Sequence, residues 1–137
     1  MLRVFLTAST LALTVAAGTA LAQEKISISS EWGNVTATLD DNVATRALLK
    51  QLPVTIEMRD HLRQEKTGDL PTGLPESSRQ QGFSTGTLGL WGPDHFVIYY
   101  RNGRVPLPGI VILGKVEGDV SIFDRPGPIR VLVERAK

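Results

Sequence analysis

The chain has 137 residues with 15 basic and 14 acidic side chains, a net charge of +1 and no cysteine. So even a balance lacks the clustered basic footprint of a nucleic-acid binder. Without cysteine there is no disulfide framework, no thiolate metal site and no residue to acylate as a lipoprotein anchor.

Residues Met1–Ala22 read as a targeting segment rather than as part of the fold. Arg3 supplies a positive start, Val4–Val15 forms an apolar run, and Ala20-Leu21-Ala22 is the small-x-small pattern expected to be cut before Gln23. The expected division is therefore a signal peptide over 1–22 and one domain over 23–137, which is long enough for a modest core. The expected location is periplasmic or secreted, from a bacterium, with no stable membrane association after cleavage. An uncleaved anchor is the competing reading, because Val4–Ala22 approaches the length of a spanning helix. Arg3 is the only charged residue of the leader, so the remainder carries no net charge. Such a domain must hold together by packing alone.

Ile26 and Ile28 alternate with Ser27 and Ser29, and Val35, Ala37 and Leu39 resume the alternation, with Gly33-Asn34 as the expected hairpin turn. Asn34-Val35-Thr36 matches the glycosylation triplet but is read as a hairpin position. Asp40 or Asp41 is the expected cap of a helix over Asn42–Leu52. Its apolar face is Val43, Ala44, Ala47, Leu48 and Leu52, with Thr45, Arg46 and Lys50 opposite. Pro53 stops that helix, and Val54, Ile56 and Met58 alternate along a third strand. Thr67–Gly86 reads as a long surface excursion with a short helical turn near Pro75–Arg79. Gly86–Trp91 and Phe96–Tyr100 pair across Gly92-Pro93-Asp94, and Asn102-Gly103 marks another turn. Ile110–Val116 reads as a strand covered on both faces. Val120 with Ile122, then Ile129, Val131 and Val133, complete a count of seven or eight strands. That pattern predicts a mainly β closed barrel with one principal helix over an opening.

The ordered fragments L-D-D-N-V-A at Leu39–Ala44, Leu52-Pro53, Glu65-Lys66, Trp91-Gly92-Pro93 and P-G-I-V-I-L-G-K at Pro108–Lys115 resemble the bacterial cyclophilin-like fold proteins. The resemblance covers essentially Lys25–Val133. It implies the eight-stranded barrel of the cyclophilins, the peptidyl-prolyl isomerases, and no single activity shared across the family. The isomerase motifs do not carry over residue by residue. Met58-Arg59-Asp60 has the arginine of an F-H-R stretch without its Phe-His, and Gln80-Gln81-Gly82-Phe83 only distorts Q-G-G-D-F.

The chemistry-bearing residues define no catalytic set. There is no G-x-S-x-G elbow, Gly114-Lys115 is not followed by Ser or Thr as a phosphate loop requires, and no cofactor motif is present. His61 and His95, with Asp60 or Asp94, fall short of a convergent zinc ligand set, so no metal is expected. Glu65-Lys66 reads either as an exposed ion pair after a strand or as a pair at a cleft mouth, orienting a small anion or a peptide terminus. Trp91, Phe96, Tyr99 and Tyr100 read either as core or as the wall of an aromatic cleft. The candidate binding set is Arg59, Glu65, Lys66, Trp91, His95 and Tyr99. The function expected from it is a non-catalytic domain binding an unknown small molecule or peptide. The alternatives are a divergent prolyl isomerase and a structural interaction module.

Overall fold

The computed structural model of the chain describes residues 7–12 and 23–137. The leader and its cut after Ala22 lie largely outside the described residues. No helix among the described residues is long and apolar enough to cross a membrane.

Eight antiparallel strands close into a barrel. They are β1 (Lys25–Ser30), β2 (Gly33–Leu39), β3 (Val54–His61), β4 (Glu65–Asp69), β7 (Thr87–Trp91), β8 (His95–Tyr99), β10 (Ile110–Glu117) and β11 (Ile129–Arg135). Their order is β2-β1-β11-β3-β4-β8-β7-β10, and β10 pairs back onto β2. Alternation dictates the inside: Ile26, Ile28, Ile56, Met58, Val131 and Val133 are buried while their strand neighbours face out. At the closing seam Gly114 lies opposite Leu39. A Cβ on Gly114 would overlap the Thr38 carbonyl oxygen, so the last strand pair forms only with glycine there.

The remaining strands are short. β5 (Arg79–Gln80) adds to β10, and β6 (Gly82–Phe83) pairs with β9 (Gly103–Arg104) as a separate ribbon. Phe83 of that ribbon stacks on Tyr99 at 3.8 Å between ring centroids. With Val97 and Ile110 they form a second apolar cluster outside the barrel wall. This outer layer is why β7 and β8 are buried on both faces.

Helix α1 (Val43–Gln51) sits over one opening, with Ala44 and Leu48 in the main core. Its cap is Asn42 rather than Asp40 or Asp41. Asp40 is still engaged with β10, donating its N–H to Leu113 O at 2.9 Å. The Asn42 side chain accepts from Thr45 N at 2.9 Å, Thr45 Oγ1 accepts from Asn42 N at 3.1 Å, and Asn42 Nδ2 donates to Ile112 O at 3.1 Å. That reciprocal box draws Thr45 inside and leaves Val43 exposed, reversing the two positions expected from the apolar face. Leu52 is extended at ψ 143°, as a residue before proline prefers.

Several expected turns fall elsewhere. The first hairpin turns at Glu31-Trp32, because Ser30 and Gly33 still pair and the Ser30 hydroxyl donates to Gly33 O at 2.9 Å. Asn34-Val35-Thr36 therefore lies within β2. Residues 71–78 carry no helical turn. They run as a strap held by Leu74 N on Pro93 O at 2.7 Å, and by Arg79, which ion-pairs with Glu76 and donates to Gly109 O at 3.2 Å. The Val120–Ile122 alternation is a 3₁₀ turn, Val120–Phe123, begun by Asp119 accepting from Ser121 N at 3.0 Å. Its i,i+3 spacing buries Val120 and Phe123 instead.

Two substitutions test this framework by urea denaturation. Asn42→Ala removes the cap and the tie to β10, and is expected to cost at least about 1 kcal/mol. Gly114→Ala is expected to destabilise by more, because the obstruction is backbone and the seam must part; a neutral Gly114→Ala would refute the close approach at closure.

Candidate functional site

The period of two along β3, β4 and β8 sorts the candidate residues by face. On the outer face Glu65 stands opposite both His61 and Tyr99, while Thr67 stands opposite both Arg59 and Val97. Trp91 and His95 pair at the next hairpin. Five of the six candidates, Arg59, Glu65, Trp91, His95 and Tyr99, therefore line one cavity of about 320 Å³. Leu62 and Gln64 from the β3–β4 turn form one rim, and Arg104, Val105 and Pro106 after the ribbon form the other. The β3–β4 turn is unusual: Leu62 and Arg63 both have positive φ, 53° and 50°. Two such residues in a row make the tight hairpin geometry that usually calls for glycine or asparagine.

Glu65 is the floor of the cavity. Its side chain is buried, with Oε1 accepting from Gln64 Nε2 at 2.9 Å and the Tyr99 phenol beside it. Burial pushes its carboxyl above the ordinary carboxylate range, against the opposing pull of Gln64, His61, Tyr99 and Arg59. Burial and the neighbouring Glu65 charge likewise push the Tyr99 phenol up, so it stays a neutral donor. The cavity thus offers a carboxyl acceptor, a phenol, two exposed guanidinium groups at Arg59 and Arg104, and an apolar wall at Leu62, Trp91, Val105 and Pro106.

Lys66 is absent from this cavity, and the expected Glu65-Lys66 pair does not exist. Adjacent residues of a strand point to opposite faces, so Lys66 turns into the barrel and is fully buried. Its ammonium donates to Asp60 Oδ1 at 2.8 Å, to Gly127 O at 3.0 Å and to Arg125 O, and lies 5.0 Å from the centre of the Trp32 ring. Asp60 also accepts from the Tyr100 hydroxyl and from Arg63 Nη1 at 3.2 Å. Arg63 continues to Tyr100 Oη at 2.8 Å and to Asp124 Oδ1 at 3.0 Å. Burial alone would raise the Asp60 carboxyl, but hydrogen bonds from Lys66 and Tyr100 outweigh it and hold the group low.

The two histidines do not converge. Both line the cavity, but from different hairpins, and His95 Nδ1 lies 3.0 Å from Asp69 Oδ1 with its Nε2 3.6 Å from Asp94 Oδ1. Asp69, Asp94 and His95 bring two carboxylates and an imidazole, the donor types of a divalent-cation site, within 4.8 Å of one another at the protein surface. Asp60 belongs to Lys66. A broader depression of about 410 Å³ beside Asp40, Phe83 and Ile112 has no buried titratable side chain.

His61, weighed from the sequence only as a metal ligand, completes the floor and rim with Gln64 and Thr67, which the sequence reading did not single out. For His61 and Thr67 a signal was there: they share the outward alternation of Arg59 and Glu65. Arg104, Val105 and Pro106 carry no such signal, because only the folded ribbon brings them over the wall.

A family model described as the Cyclophilin-like family matches residues 28–134. Among solved structures, the solution structure of a hypothetical protein from Archaeoglobus fulgidus superposes with a TM-score of 0.66 at 15% sequence identity, covering 83% of this chain and 95% of that chain. At that identity the likeness concerns the fold alone. No curated protein matches the chain.

Opposite pH behaviour is expected at the two acids. Asp60 has its pKa lowered on folding, so its stabilisation is complete above the ordinary value of 3.8 and is lost as pH falls through the depressed one. Lys66→Met strands that carboxylate and is expected to cost about 3–5 kcal/mol in urea at neutral pH, with Lys66→Met/Asp60→Leu recovering part of the loss. Glu65 has its pKa raised on folding, so stability is lost as pH rises through it. Glu65→Gln is therefore expected to be more stable than the parent at neutral pH, the two converging in acid as Glu65 protonates. A parent more stable than Glu65→Gln at neutral pH would contradict the desolvated floor.

Proposed function

This chain belongs to the Cyclophilin-like family, and from that premise we propose that it is a non-catalytic binding domain taking a small molecule or an extended peptide segment in the cleft over β3, β4 and β8. The observation that carries the reading is Glu65. A carboxyl buried at the base of an open cavity, without a cationic partner, costs the folded protein stability. Side chains that cost stability and face a cavity are the mark of a site selected for binding. Trp91 supplies the large rigid surface such a site needs, at a hairpin where its ring is only half-buried.

The same reading takes the domain as exported, to a periplasm or the medium, on the strength of the Arg3, Val4–Val15 and Ala20-Leu21-Ala22 pattern. Nucleic acid and membrane surfaces are poor partners for a chain so near neutrality.

Prolyl isomerisation is the second reading, favoured by one observation. Arg59 lies in the cleft beside an apolar wall, where a guanidinium could support a twisting proline amide. The binding reading expects no acceleration in a proline-peptide isomerisation assay of residues 23–137. Acceleration abolished by Arg59→Ala would replace it.

A thermal-shift screen of the same domain against small molecules and short peptides tests the binding reading directly. A ligand at about one hundred times its dissociation constant stabilises by about 2.7 kcal/mol. Trp91→Ala is expected to remove the response. A ligand response that survives both Trp91→Ala and Glu65→Gln would move the site elsewhere on the barrel.

A further inference from the structure

Among the described residues, three charges line the cleft without an ion-pair partner: Glu65, Arg59 and Arg104, whose guanidinium donates to Gln81 Oε1 at 3.2 Å. Asp60 pairs with Lys66 and Arg63, and Asp124 pairs with Arg63 and Arg101. Among the described residues, Glu65 and Arg59 have no ion-pair partner, and they do not pair with each other. Glu65 is opposite His61 and Arg59 is opposite Thr67, so the two stand diagonally across β3–β4. Diagonal neighbours of that kind are about 7–8 Å apart. Gln64 and Tyr99 hold the short Glu65 side chain down on the wall, while Arg59 stands free at its edge.

Each charge alone would select against a simple ion. The carboxylate on the floor repels an anion, and the Arg59 and Arg104 guanidinium groups around it disfavour a bare cation. A molecule carrying both signs meets both. Resting on the binding reading above, we infer that the cleft takes a zwitterion the size of a free α-amino acid with an apolar or aromatic side chain. Its ammonium donates to Glu65, which replaces the water that burial has removed from that carboxylate. Its carboxylate accepts from the Arg59 guanidinium, whose planar fork suits two parallel hydrogen bonds. Its side chain lies against Trp91 and Val105, the apolar part of the wall. A cavity of about 320 Å³ has room for one such molecule.

Four probes separate the charges from the apolar contact: L-phenylalanine, its amide, its N-acetyl derivative, and the N-acetyl amide that lacks both charges. Calorimetric titration of residues 23–137 is expected to rank L-phenylalanine first, with each loss of a charge weakening binding by at least about tenfold. Arg59→Ala is expected to erase the preference over the amide while keeping the preference over the N-acetyl derivative, and Glu65→Gln to do the reverse. Both variants alter exposed or stability-costing groups, so they keep the fold. Equal binding of all four probes, lost in Trp91→Ala, would overturn the zwitterion assignment and leave the binding reading standing. No binding of any probe would also overturn it, and the wider thermal-shift screen would then decide the binding reading by itself.

Discussion

The Lys66 ammonium, sealed inside one end of the barrel, is the interaction on which the rest of this structure leans. An ammonium has three donors and no acceptor, and here each donor is met: by Asp60, by Arg125 O and by Gly127 O. A buried charge is tolerable only when matched in this way. The match stitches β4 to the end of β3 and to the segment leading into β11. It also sets Asp60, and through it Tyr100 and Arg63. Arg63 occupies the strained second position of the β3–β4 turn, so the buried ion helps hold a backbone conformation that Leu62 and Arg63 do not favour by themselves. Leu62 and Gln64 of that turn form one rim of the cleft. An interior charge thus shapes a site on the opposite side of the wall.

The wall itself has two apolar faces for a physical reason. Interior packing needs only one residue in two, yet β7 and β8 bury nearly every side chain. The surplus is covered by Phe83 stacked on Tyr99 and by Ile110, under the β6–β9 ribbon. Where that cover ends, between Pro106 and the β3–β4 turn, the wall stays open and Glu65 is left at the base of a cavity. The cleft is therefore the unroofed part of a second packed layer. Val105 and Pro106 reach it from the roof together with Arg104, while Arg59, Glu65 and Trp91 stand on the barrel strands.

The barrel was legible in the sequence because strand periodicity is local. Ile26 and Ile28, Val54 to Met58, and Ile129 to Val133 each state which side faces inward within a few residues. The continuous apolar run of β10 announces cover on both faces in the same way, and the structure provides it at Ile110 and Val111 but leaves Ile112 partly open and Lys115 exposed. Caps and turns were less legible, since several residues compete for each. Asp40, Asp41 and Asn42 are all good caps, and the choice fell to Asn42 because its amide also reaches Ile112 O. Val120 and Ile122 imitate a strand, but one aspartate on the Ser121 N–H turns them into a 3₁₀ helix.

Glu65 and Lys66 mark the boundary most clearly. By itself the sequence determined that this chain makes a mainly β barrel with one helix, and it singled out Arg59, Glu65, Lys66, Trp91, His95 and Tyr99 without saying which face of the barrel each takes. It did not separate Glu65 from Lys66, although strand alternation requires neighbours to part. That separation matters only once β4 is known to be a wall with a barrel on one side and an open cleft on the other. Two of the three acceptors of Lys66 lie about sixty residues away, at Arg125 and Gly127, and the far rim of the cleft comes from Arg104 to Pro106. Such partners are brought together by chain closure and by no local pattern. Tertiary structure alone decided which charge was buried with its acceptors and which was left at the base of an open cavity.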